Sequence, residues 1–181
     1  PQKVLQEILS AQEVKSLLDQ TFNFKHQAML TTLYALGLRS GELLDLEIKH
    51  LDGDRNTIFI KQGKGRKDRL LPFPESLKPY LRKYYKKHRP QKYLFEGRNG
   101  AKYTPASLRS VFKQALKRSK ITKQVTLHSL RHAYATHLLD SGTDLRRIQV
   151  LLGHNNIKTT MIYTQVSQRS ILETRSPLDF L

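Results

Sequence analysis

The chain has 181 residues, enough for one ordinary domain, and its 38% hydrophobic and 8% aromatic content can fill a core. Its 32 Lys and Arg against 15 Asp and Glu leave a formal charge of +17 and a pI near 10.2, which points to a polyanionic partner, with nucleic acid the first candidate. The absence of cysteine excludes a disulfide scaffold, a thiolate nucleophile and cysteine-based zinc sites, and no apolar run approaches the roughly 18 residues of a membrane-spanning helix.

No signal-peptide pattern opens the chain, so the expected location is the cytoplasm, in association with the nucleoid. Because it starts at Pro1 rather than Met, the sequence reads as a piece excised from a longer protein.

Ser10-Ala-Gln-Glu13 forms a capping box before an apolar-periodic stretch ending near Gln20. A second helical pattern runs from Lys25 to Leu36 and stops at Gly37, and Ser40 caps a third. The period changes between Leu46 and Pro74. Thr57 to Ile60 and Arg69 to Phe73 read as strands around the turn Gly63-Lys64-Gly65-Arg66-Lys67-Asp68, a small hairpin with a basic tip. Helical patterns return at Glu75 to Lys87, Pro105 to Arg118, Leu127 to Asp140, Leu145 to Leu152 and Ile157 to Thr164. The expectation is a single domain over 1–181, mainly α with a small antiparallel β insert. A tail from Gln168 carries Ile171, Leu172, Leu178, Phe180 and Leu181, apolar residues expected to dock back on their own domain at rest.

Three familiar chemistries do not fit. Gly63-Lys64-Gly65 lacks the glycine spacing and the Lys-Ser/Thr of a nucleotide-binding loop. Asp52-Gly-Asp54-Arg-Asn56 opens like a calcium loop, but Thr57 stands where its glycine belongs and Gly63 where its glutamate belongs. His128 and His132 have the i,i+4 spacing of a zinc helix, yet Ser129 replaces the catalytic glutamate and Arg131 places a cation between them. What remains is an excess of cationic and hydrogen-bonding groups without a carboxylate pair, an inventory suited to a charged phosphorus transition state. His128 and Arg131, three apart, share a helix face and can grip one phosphate. His137 falls on the opposite face and reads as structural. The run from Arg82 to Arg89 reads as a patch that tracks a nucleic-acid backbone.

Gly37-Leu38-Arg39-Ser40-Gly41-Glu42, Gly63-Lys64-Gly65, His128-Ser129-Leu130-Arg131-His132, Leu151-Leu152-Gly153-His154 and Tyr163, in this order and spacing, resemble the tyrosine recombinase (phage integrase) family, and in style its Xer-like members. The resemblance implies that Arg39 and Arg131 bind the scissile phosphate. Lys64 is implied as general acid to the leaving 5′ oxygen, with Lys67 on the same loop as an alternative. His128 and His154 are implied to assist at the phosphate, and Tyr163 to attack phosphorus and form a 3′-phosphotyrosine. Glu42 and His132 are implied to support these groups. Arg66, Lys67, Arg82, Lys83, Lys86 and Lys87 are the expected DNA contacts.

The resemblance further implies double-stranded DNA as partner, no metal and no cofactor. It implies a monomer in solution that assembles on DNA into a tetrameric synapse, with residues 167–181 as an exchanged tail. The family's amino-terminal DNA-clamping domain has no counterpart in this sequence. A type IB topoisomerase and a catalytically silent DNA-binding module are the rival readings.

Overall fold

A computed structural model describes residues 7–62, 66–155, 172 and 175–181. The helices follow their start and stop signals closely. α1 (Ala11–Asp19) is closed by the expected capping box, with the Glu13 amide donating to Ser10 Oγ at 3.1 Å and the Ser10 amide donating to Glu13 Oε2 at 2.8 Å. α2 (Phe24–Leu36) starts at Asn23, whose side chain accepts from the His26 amide. α3 (Ser40–Asp45) follows immediately.

β1 (Leu51–Asp52), β2 (Thr57–Ile60) and β3 (Arg69–Pro72) form an antiparallel sheet in the order β1-β2-β3, with Ile58 opposite Leu71 and Ile60 opposite Arg69. The sequence pattern shows β2 and β3 but not the two-residue β1, which is too short to carry an alternation. α4 (Leu77–His88), α5 (Pro105–Ser119), α6 (Leu127–Asp140) and α7 (Leu145–Leu152) complete the α-helices among the described residues, within two residues of expectation. The helix expected at 157–164 lies outside the described residues. The molecule is thus mainly α with a small antiparallel sheet.

α2 is the central helix. Ala28, Met29, Leu30, Leu33 and Leu36 are all buried, so it is apolar around most of its circumference, and α1, α4 and α6 pack against it. The sheet adds Ile58, Ile60 and Leu71 to the same core. A smaller cluster of Ala135, Ile148 and Leu152 joins α6 to α7. No helix among the described residues is long and apolar enough to cross a membrane. In the tail, Leu172, Leu178, Phe180 and Leu181 are exposed. The expected docking of these four residues on their own domain is therefore not what the structure has. A short 3₁₀ turn runs over Pro177–Phe180, with Arg175 over the Phe180 ring.

Gly37 ends α2 in the left-handed region at φ 61°, and a Cβ there would lie 2.3 Å from the Tyr134 ring on α6. Both conditions require glycine. Gly37→Ala is expected to lose about 2–5 kcal/mol of stability, the left-handed penalty plus overpacking against Tyr134. The urea midpoint measures this, and an unchanged midpoint would show that ring and backbone give way freely.

Candidate active site

The site is built where the C-terminal ends of α2 and α7 meet the start of α3, the first turns of α6 and the inner face of β3. Its centre is the Glu42 carboxylate on α3, which is buried. Arg69 grips it with a fork, Nη1 donating to Oε2 at 2.5 Å and Nη2 to Oε1 at 3.1 Å. Gln62 Nε2 donates to Oε2 at 2.6 Å, and the Arg39 backbone amide donates to Oε1 at 2.8 Å. The guanidinium nitrogens of Arg39 and Arg131 lie 3.6 and 3.8 Å from the same carboxylate. Burial pushes the Glu42 carboxyl up, but the hydrogen bond and charge of Arg69, the Arg39 amide and the charge of Arg131 together hold it below the usual range. Glu42 is therefore ionised at neutral pH, one negative charge among three guanidinium groups.

Arg131 is 1% exposed, the most deeply buried cation described. Its Nη1 donates to the Gly37 carbonyl at 2.7 Å and its Nη2 to the Leu152 carbonyl at 2.6 Å. Arg69 Nε donates to the Leu151 carbonyl at 2.8 Å. These carbonyls belong to the ends of α2 and α7, where backbone acceptors lack intrahelical partners and the helix dipole is negative. The arginines satisfy the helix ends, and the helix ends hold the arginines.

His128 stands in the first turn of α6 with an exposed edge, and its ring meets that of buried His132 edge to face at 4.5 Å. His154 follows Gly153, which ends α7 at φ 71°, and the His154 amide donates to the Gln149 carbonyl at 3.1 Å. Desolvation, then the positive charges of Arg131, Arg39 and Arg69, push His154 down to about 4. Desolvation, then His128 and Arg131, put His132 at about 4 as well, and desolvation followed by Arg131 and Arg39 lowers His128. All three imidazoles are neutral at pH 7.

The structure thus brings together six of the residues singled out from sequence: Arg39, Glu42, His128, Arg131, His132 and His154. Lys64 and Tyr163 lie outside the described residues. Arg66 and Lys67 are exposed just past the hairpin tip. Arg82, Lys83, Lys86 and Lys87 are exposed on α4, which packs on α2, with Lys83 and Lys87 over the Phe24 ring. His137 points away from the site, its ring between the Tyr34 hydroxyl at 2.6 Å and the Leu9 carbonyl at 2.9 Å.

Arg69 and Gln62 were missed. The signal for Arg69 was available, since β3 alternates and Arg69 shares the inward face with Leu71. A cleft of about 190 Å³ beside His128, with Ser40, Arg109, Phe112 and Lys113 in its wall, also went unread. Among the described residues no group of His, Asp and Glu is arranged to hold a metal ion.

The model of the phage integrase family matches residues 2–169. An Escherichia coli integrase/recombinase is 36% identical over the whole of this chain and 66% of its own length, and the tyrosine recombinase XerD of Staphylococcus saprophyticus is 37% identical over 92% of this chain and 60% of its own. The Sinorhizobium fredii protein y4qK, 41% identical over all of this chain, is matched over 59% of its length, so the chain spans about three fifths of such relatives. The crystal structure of XerA recombinase superposes with a TM-score of 0.84 at 30% identity, covering 96% of this chain and 64% of that one. The family match over residues 2–169 and the fold shared with XerA lead to one assignment: the chain belongs to the phage integrase family of tyrosine recombinases.

Proposed function

We propose that this chain is the catalytic domain of a site-specific DNA recombinase that cuts and rejoins one strand at a time through Tyr163. The observation that carries the reading is the charge imbalance around Glu42, three guanidinium groups against one carboxylate with neutral imidazoles beside them. Such a site is complementary to an anion that gains charge during reaction, as a phosphodiester does on becoming pentacoordinate. Relatives named tyrosine recombinase or integrase/recombinase agree with it, and the topoisomerase and silent-module readings are not favoured.

In this reading Arg39 and Arg131 hold the non-bridging oxygens of the scissile phosphate, as planar forks suited to that geometry. Neutral His128 accepts the phenolic proton as the Tyr163 oxygen attacks phosphorus, and His154 donates an N–H to a phosphate oxygen. The bond to the 5′ oxygen breaks, and Lys64 protonates it as it leaves. The 3′ end remains esterified to Tyr163. A 5′ hydroxyl then attacks the ester, the steps run in reverse, and the conserved bond energy makes a nucleotide unnecessary.

Glu42 and His132 act by orienting these groups. Arg66, Lys67, Arg82, Lys83, Lys86 and Lys87 contact the backbone of double-stranded DNA, joined by Arg109 and Lys113 beside the cleft at His128. The protein works in the cytoplasm on nucleoid DNA. It is a monomer in solution and assembles on DNA into a tetrameric synapse, where residues 167–181 reach a neighbouring protomer.

Two outcomes are expected. Tyr163→Phe binds duplex DNA with unchanged affinity but forms no covalent adduct on a nicked suicide substrate, because only the nucleophilic oxygen is lost. An adduct surviving in that variant moves the nucleophile elsewhere. Second, because His128 is held below its ordinary value, it stays in its proton-accepting form below pH 6.5 and becomes protonated only further into acid. The acid limb of kcat/KM for cleavage then lies below 6.5, and His128→Gln, much slower, lacks it. A limb at or above 6.5, or one kept in the glutamine variant, assigns it to another group.

A further inference from the structure

We infer that Arg69 is a positioning residue that locks the turn bearing His154, and with Gln62 both ends of the hairpin tip, onto the Glu42 carboxylate. The inference rests on the proposed strand-exchange activity and assigns a role to two residues outside the family-like motifs.

Arg69 occupies an inward position of β3, opposite Ile60 and on the same face as Leu71, where a hydrophobic side chain would complete the core. A guanidinium there is 9% exposed. Burying one ion of a pair carries a penalty of several kcal/mol, and exchanging such pairs for apolar residues is often neutral or stabilising. Fold stability alone therefore gives no reason for the charge at this position.

Geometry gives one. The Arg69 fork fixes both oxygens of Glu42, and its Nε takes the Leu151 carbonyl, two residues before Gly153 and three before His154. Gly153 leaves room for this approach, because a Cβ there would lie 3.1 Å from Arg69 Cδ and 3.2 Å from its Nη1. A lysine could make one of these contacts but could not span the carboxylate and the carbonyl together.

The hairpin is tied to the same point from its other strand. Gln62 follows β2 and donates its side-chain N–H to Glu42 Oε2, while its backbone amide donates to Asp68 Oδ1 at 2.8 Å. Gln62 and Arg69 bracket residues 63–68, the segment that contains Lys64 in sequence. One carboxylate thus registers three pieces of backbone: the Arg39 turn through its amide, the end of α7 through Arg69, and the base of the hairpin tip through both residues. A misplacement of about 1 Å in such a constellation can slow a reaction 10²-fold.

The test compares Arg69→Lys, Arg69→Met and the paired Glu42→Met/Arg69→Met chain with the unsubstituted one. Single-turnover cleavage of a nicked suicide duplex, duplex affinity, the thermal midpoint and the His154 titration by NMR are measured on each. Arg69→Lys is expected to cleave about 10²-fold more slowly with duplex affinity within a few-fold of the parent. It keeps the positive charge, so a displaced His154 titration in this variant reports a moved turn rather than a lost field. The paired variant, which also takes the carboxylate from Arg39 and Arg131, is expected to cleave slowly as well.

Parental cleavage by Arg69→Lys, or by a paired variant of parental stability, overturns the inference. If the paired variant does not fold, Arg69→Lys decides alone. If the unsubstituted chain forms no adduct, the strand-exchange reading is what fails. The His154 titration then judges Arg69, and an unmoved titration in Arg69→Lys overturns its role.

Discussion

Everything in the site depends on one buried carboxylate surrounded by more positive charge than it can neutralise. Glu42 receives the Arg69 fork, the Gln62 amide and the Arg39 backbone amide, and Arg131 and Arg39 bring further guanidinium groups within 3.8 and 3.6 Å. A lone buried carboxylate would protonate, and a lone buried guanidinium would be excluded from the core. Together they remain charged, with an excess of two positive charges, one of which an incoming phosphodiester offsets and both of which the more highly charged pentacoordinate state can balance. The fold holds this excess in place before any ligand arrives, so the reorganisation that water would need has already been made.

That excess adds to burial in setting the state of the histidines. His132 and His154 lie near 4 and His128 below its ordinary value because burial comes first and the neighbouring arginines add to it. Neutral imidazoles leave each ring with one N–H to donate and one nitrogen to accept, the pair of functions needed to hold an oxygen and receive a phenolic proton. A phosphate bound among the arginines offsets part of that positive field and so removes part of the depression the arginines cause in the same three groups. The coupling between phosphate and proton follows from the arrangement of charge, whichever imidazole takes the larger share.

Most of the fold was legible because it is helical and well punctuated. The Ser10 box and Gly37 each mark a boundary where the structure has one, since caps are local chemistry and owe little to tertiary context. The site was legible where short motifs bring their residues together, as Arg39 with Glu42 and His128 with Arg131. Arg69 and Gln62 escaped because their meaning is entirely tertiary. Gln62 stands in a loop, and Arg69 reads as one more cation in a chain with 32 until the alternation of β3 is taken strictly. The tail failed for a related reason. Its apolar residues show that something must cover them, but pattern alone does not say what, and the four described are exposed.

The way the arginines are held explains why so small a sheet suffices for so demanding a site. Side chains on long flexible stems normally lose precision when they reach a site from loops. Here the two most buried guanidinium groups end on backbone carbonyls at the C-termini of α2 and α7, acceptors that each helix must satisfy anyway. Gly37 and Gly153, both in the left-handed region, end these two helices and admit Tyr134 and Arg69, a Cβ at Gly37 falling 2.3 Å from the Tyr134 ring and one at Gly153 lying tight against Arg69 at 3.1 Å. Helix termination, cation burial and phosphate-site geometry are therefore one set of contacts. A change that frees any of these carbonyls loosens an arginine, and a change that removes an arginine leaves a helix end unsatisfied. Stability and function should accordingly prove hard to separate at Arg131, which spans both helix ends, and easier to separate at Arg69, where a lysine keeps the charge beside Glu42 but loses the span to the Leu151 carbonyl.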